Sequence, residues 1–159
     1  MILDTQTIFA GSIALDGSRT GQAVTATAIS GNVLDMRNSA LPALVDEGIS
    51  GEIWLVVVAA TAANGADAAK TLTITLESDS APGMATSPVV HFSSKAITGA
   101  QITVGATLAR LQIPSDDFKR YLGVRFTVSA AFTAFNVFAF LTQDVQRNVI
   151  YPAGYTVDV

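Results

Sequence analysis

The chain has 159 residues with 13 acidic and 9 basic side chains, a net charge of -4, no cysteine, and half its residues hydrophobic. At about 100–200 residues per domain this is one domain, and 14% charge with a mean hydropathy of +0.44 excludes disorder. The missing cysteine excludes a disulfide framework, a zinc finger and a thiol nucleophile. No run of about 20 apolar residues offers a membrane helix, and no basic block points to nucleic acid.

In chain order, the pattern is period 2 almost throughout. Residues 22–30 alternate small apolar side chains with Thr25 and Thr27, and 32–36 resume as a short strand after Gly31. Residues 41–43 read as a turn. Residues 52–61 are apolar on both faces, which predicts a central strand or one covered by a partner. Asn64, Gly65 and Asp67 signal a turn. Residues 70–78 then alternate, with Leu72, Ile74 and Leu76 on one face and Thr71, Thr73 and Thr75 on the other. These two runs are expected to pair as a long hairpin. Residues 78–87 form a loop, 89–93 a short strand, and 107–113 another strand closed by Pro114; residues 96–105 fit no clear element. One helical turn is expected at 115–118, capped by Ser115. Residues 120–130 and 136–144 are expected to form a last strong pair, joined by a glycine-free connection too long for a two-residue turn. The sum is an all-β chain: an antiparallel β-sandwich of eight or nine strands, jelly-roll-like or Greek-key in wiring, forming a single domain over 1–159.

The chemistry offered is sparse. The one histidine, His91, lies between Val90 and Phe92 and reads as a cross-strand packing or hydrogen-bonding residue, so neither a hydrolytic triad nor an imidazole-rich metal site is expected. The carboxylate pairs Asp46-Glu47, Glu77-Asp79 and Asp116-Asp117 sit at strand ends and loops; Glu77-Ser78-Asp79-Ser80 is the nearest approach to a calcium loop and a weak one. The expectation is a protein without catalytic residues, metal or cofactor. Phe126, Phe132, Phe135, Phe138 and Phe140 read as a core stripe, because few basic residues accompany them as a base-stacking platform would require. Trp54, inside its apolar strand, reads as core.

Two features point to partners. A typical domain carries about 25% charged residues, against 14% here, which suits a protein that hides surface against neighbours. The ends are apolar where termini are ordinarily polar and frayed: Ile2, Leu3, Ile8 and Phe9 at one end, Tyr151 and Tyr155 near the other. Residues 1–21 are therefore a candidate N-terminal arm. The one basic cluster, Lys119, Arg120 and Arg125, reads either as paired with Asp116 and Asp117 or as a contact to an acidic partner. Asp4 interrupts the first apolar residues and no basic residue precedes them, so no export signal is read.

Residues 119–128 (Lys-Arg-Tyr-Leu-Gly-Val-Arg-Phe-Thr-Val), 137–142 (Val-Phe-Ala-Phe-Leu-Thr) and 144–146 (Asp-Val-Gln), with an early strand at 23–30 and the segment 32–35, resemble the tailed-phage capsid cement (decoration) protein family. Where a glycine turn is expected before Val137, the chain has Thr133-Ala134-Phe135-Asn136. The resemblance implies a jelly-roll sandwich on the outer surface of a phage head, made in the host cytoplasm and bridging neighbouring major capsid proteins. Its other expected partner is a second copy of itself, a dimer before a trimer, with neither nucleic acid nor membrane. The interface residues expected are Ile2, Leu3, Ile8, Phe9, Lys119, Arg120, Arg125, Tyr151 and Tyr155. The alternative reading is a carbohydrate- or receptor-binding β-sandwich from a phage fibre or cell surface.

Overall fold

A computed structural model describes residues 7–14, 16–36, 53–114 and 116–143. Its strands are β1 (Ile8–Ala10), β2 (Ser12–Ile13), β3 (Arg19–Thr20), β4 (Gln22–Ala23), β5 (Ala28–Ile29), β6 (Leu34–Asp35), β7 (Trp54–Ala59), β8 (Thr71–Asp79), β9 (Val89–Ser93), β10 (Ile97–Thr98), β11 (Thr107–Gln112), β12 (Tyr121–Val128) and β13 (Asn136–Thr142). The pairings that build the two main sheets are antiparallel.

Several short strands are pieces of one. β1 and β4 both lie along the edge of β13 that β7 leaves open, separated by the β2–β3 hairpin. β5 and β6 share one edge of β12, and β9 and β10 share one edge of β8. Merging these pieces leaves eight strand positions. Numbered along the chain, the first sheet runs 1-8-3-6 and the second 2-7-4-5. That is jelly-roll wiring, two Greek keys folded into a sandwich.

The wiring overturns two expected pairings. β7 and β8 do not form a hairpin: β7 lies between β13 and β11 in the first sheet, β8 between β12 and β9 in the second. β12 and β13 are split between the sheets in the same way. Each of these strands is apolar enough to need two neighbours, and a tight hairpin satisfies neither face of the sandwich. The glycine-free link 131–135 arches between the sheets instead, and its Phe132 and Phe135 are buried in the core, edge to face with centroids 4.8 Å apart. Residues 22–30 are broken for a related reason, since the chain crosses from sheet to sheet between β4 and β5. The expected helical turn at 115–118 is absent from described residues 116–118; the Phe118 N–H donates to the Asp116 carbonyl, two residues back.

Face assignment along β8 follows the sequence: Leu72, Ile74 and Leu76 are fully buried and the intervening threonines are not. On β7, Leu55, Val57 and Ala59 join the interlayer core with Val137, Ala139 and Leu141 of β13. Trp54, Val56 and Val58 point the other way and cluster with Ile8, Phe138 and Phe140 on the outer face of the first sheet. Trp54 is thus not a core residue, and the aromatic stripe divides between the interlayer core and this outer face.

Pairing fixes which loops share an end. The last residues of β6 and β8 lie opposite Tyr121, the first of β12; the last residues of β11 and β13 lie opposite Trp54, the first of β7. The chain therefore reaches segments 1–6, 37–52 and 144–159 at one end of the sandwich, together with loops 80–88 and 113–120.

Candidate functional site

This end is tied together by side chains. Lys119 and Arg120 close the loop that leads into β12. The Lys119 ammonium donates to the Ser87 carbonyl and hydroxyl. Arg120 meets Asp35 through two nitrogens, Nε at 3.0 Å and Nη2 at 2.8 Å, and lies over the Tyr121 ring. Asp35 raises the affinity of that guanidinium for its proton. The pair is about one-third exposed on each side, so its contribution to stability is at the low end for ion pairs, and its charges remain near the surface.

Arg125 is different. It stands four residues into β12, on the outward face, with Nε 2.9 Å from the buried Glu77 carboxylate and Nη2 2.6 Å from the Met84 carbonyl. Thr75 donates to the other Glu77 oxygen. Arg125 therefore fastens loop 80–88 to its own sheet, a role internal to the fold. Met84, buried and at φ 50, rests on Gly123, where its side-chain carbons come 3.5 Å from the position a Cβ would take. Asp79 completes the fastening: its carboxylate accepts the backbone N–H groups of Ser80, Thr86 and Ser87. Burial pushes this carboxyl up, and the N–H donors outweigh it and hold it below the ordinary carboxylate range. The oxygens of Glu77 and Asp79, the expected approach to a calcium loop, are thus engaged by protein donors. Lys119, Arg120 and Arg125 pair with Ser87, Asp35 and Glu77, and not with Asp116 and Asp117.

The end also holds a chain that the sequence did not announce. Ser78 Oγ is 2.7 Å from His91 Nε2, and His91 Nδ1 is 2.7 Å from Asp116 Oδ2. The residue types and spacing are those of a hydrolytic triad. Its setting is not. Ser78 is fully buried, the His91 side chain is 1% exposed, and only Asp116 reaches solvent. Ser78 Oγ also accepts the Lys119 backbone N–H at 3.0 Å. One proton arrangement satisfies every group: Nδ1–H donates to Asp116, and Ser78 O–H donates to Nε2. The His91 hydrogen bond holds the Asp116 carboxyl below its ordinary range, helped by the Asp117 N–H. A nucleophile must meet its substrate at about 3 Å; this hydroxyl meets only protein. The chain is a strut that pins loop 113–120 to the β8–β9 hairpin, with Phe118 packed 4.4 Å from the imidazole. A bulge in β9 between its pairings with Leu76 and Glu77 aims His91 at Ser78. A bulge leaves no mark in a one-residue alternation pattern, so the sequence carried no signal for this contact beyond the hydrogen-bonding role read for His91.

The terminal residues divide. Ile2, Leu3, Tyr151 and Tyr155 lie outside the described residues, as do Asp46 and Glu47. Ile8 and Phe9, proposed as contacts of a free arm, are 2% and 3% exposed in the chain's own sandwich. Phe9 joins the interlayer core and Ile8 the outer-face cluster, while β1 pairs with β13. A short apolar strand next to an open sheet edge gains both hydrogen bonds and burial by adding to it, so the described part of 1–21 is sheet and hairpin.

No curated protein matches the chain. The family model described as Bbp16 matches residues 18–141, from the β2–β3 hairpin to the penultimate residue of β13. Since the match covers 124 of the 159 residues, the chain belongs to the Bbp16 family.

Proposed function

We propose that this chain is a structural virion protein that binds the outer surface of a phage head and cements neighbouring major-capsid subunits. The observation that carries the reading is the common end: the chain leaves for 1–6, 37–52 and 144–159 where Lys119 and Arg120 are held at the surface by Ser87 and Asp35. An end fixed by a buried strut and three loop fastenings presents a preorganised surface, so little ordering entropy is lost when it docks. A protein that binds the assembled shell better than free subunits stabilises the shell by linkage, and many copies on one lattice add their terms. The function needs no reaction, cofactor or metal. Mixing the purified protein with heads assembled without it tests the reading: saturable co-sedimentation is expected, weakened when Lys119 and Arg120 are both changed to Glu. Absence of co-sedimentation overturns it.

One observation favours the carbohydrate-binding alternative: Trp54 lies on an outer face, only partly buried, with the Arg110 guanidinium 5.8 Å from its ring. Saturable binding to a glycan panel, lost in Trp54→Ala, is the result that would favour it.

A further inference from the structure

β9 is an edge strand of the second sheet. β8 bonds to one side of it, and among the described residues no strand or loop bonds to the other. The N–H and C=O groups that point away from β8 are therefore unpaired, the template that an added strand completes. Nothing in Val-Val-His-Phe-Ser carries a carboxylate, an ammonium, a guanidinium or a proline ring that would close the edge. Val89 and Val90 are two of the three exposed large hydrophobic side chains among the described residues, at 41% and 53%. The bulge at His91 is pinned by Ser78 and Asp116, so the edge is fixed before anything docks and little ordering entropy is lost.

A lysine stands at each end of this edge. At the head, the Lys119 ammonium donates to the carbonyl and hydroxyl of Ser87, just before the strand. At the tail, Lys95 is exposed just beyond Ser93. Neither ammonium has a carboxylate partner among the described residues. Glu77, opposite Val90, is taken by Arg125, and Asp116 by His91, which leaves the exposed Asp117 as the nearby carboxylate without an ion pair. These charges choose the occupant. Two copies joining β9 to β9 about a two-fold axis pair antiparallel, which sets Lys119 of one beside Lys95 of the other, and like charges across a strand pair destabilise it. A segment with carboxylates at its ends meets both lysines, and the repulsion that rejects a second copy gives selectivity. We infer that the open edge of β9 takes an extended acidic segment of another protein, added as a strand. Main-chain hydrogen bonds supply the attachment, and an alternating apolar row beside Val90 adds burial. Five residues span about 17 Å, so carboxylates about six residues apart reach both lysines. The site stands apart from the shell-binding reading, because any protein offering such a segment fits it.

The probe is a capped peptide, Asp-Thr-Val-Thr-Val-Thr-Asp, titrated into the isotope-labelled full chain while the backbone amide signals are followed. It is expected to shift the β9 amides saturably and to slow their hydrogen exchange. A control peptide with proline at its central position, which removes a donor and breaks strand pairing, should do neither. A control with lysine at both ends should bind about threefold or more weakly, within what exposed ion pairs give. Lys95→Glu, a surface change that far-UV circular dichroism should show to be folded, is expected to narrow or reverse that preference. No saturable shift at β9, equal binding of the acidic and proline peptides, or equal binding of the acidic and lysine-ended peptides overturns the inference. Protection of the β9 amides that rises with protein concentration without peptide assigns the edge to a second copy and overturns it as well.

Discussion

Replacing Ser78 by Ala tests whether the Ser78–His91–Asp116 chain is a strut. The change removes one oxygen and strands two groups, the Lys119 N–H and His91 Nε2, whose partner was that oxygen. A buried donor or acceptor left without a partner costs about 1–3 kcal/mol, so the two together cost about 2–6 kcal/mol, less where water enters. At about 2–4 °C per kcal/mol for a domain of this size, a central loss of about 3 kcal/mol lowers the melting temperature by about 6–12 °C. His91→Phe strands the Ser78 hydroxyl but leaves the half-exposed Asp116 free to hydrate, so it costs less. The double variant leaves only the Lys119 N–H orphaned, and its loss falls short of the summed single losses by about 0.5–3 kcal/mol, the range for residues in one network. Urea and thermal unfolding of the four proteins measure the cycle. A neutral Ser78→Ala, strictly additive losses, or labelling of Ser78 in the folded protein by a fluorophosphonate probe would refute the strut.

Ile74→Ala should cost about 2–5 kcal/mol in urea unfolding, as buried truncations do, because Ile74 is fully enclosed; Thr73→Ala, on the other face, should cost well under half of that. Gly99→Ala should destabilise by about 1–3 kcal/mol, the range for overpacking, since a Cβ there would lie 2.2 Å from the Asp67 carbonyl oxygen; an unchanged melting temperature would contradict the close approach. Acid should weaken the fold through two buried carboxyls. Lys70 beside Asp67, with Thr133, holds that carboxyl below the ordinary range, and the N–H donors around Asp79 outweigh its burial. A carboxyl lowered on folding contributes stability that is complete above its unfolded value and lost as pH falls through its folded value. Melting temperature should therefore hold down to about pH 4 and fall below it, and Asp79→Asn should flatten the fall.

Alternation and composition made the sandwich legible, because inward and outward positions on β8 and β12 differ in residue type where one face meets the core. They misread partners. Sequence neighbours such as β7 and β8 look like a hairpin when each is strongly apolar, and nothing local states that the chain crosses to the other sheet at 60–70. The two-faced run at 52–61 was the clue: an outward apolar row demands a second layer, and the outer-face cluster is its consequence. The basic trio was legible as a cluster but not as three roles. Arg125 faces Glu77 through strand register, whereas Lys119 and Arg120 find Ser87 and Asp35 through loops whose path only the fold defines.

The central claim is that this jelly roll strengthens a shell by binding it. Heads assembled without the protein should be titrated with it while the temperature at which they release their contents is recorded. The account predicts that this temperature rises with occupancy and saturates with the lattice sites. A disruption temperature that stays flat as the sites fill would contradict it.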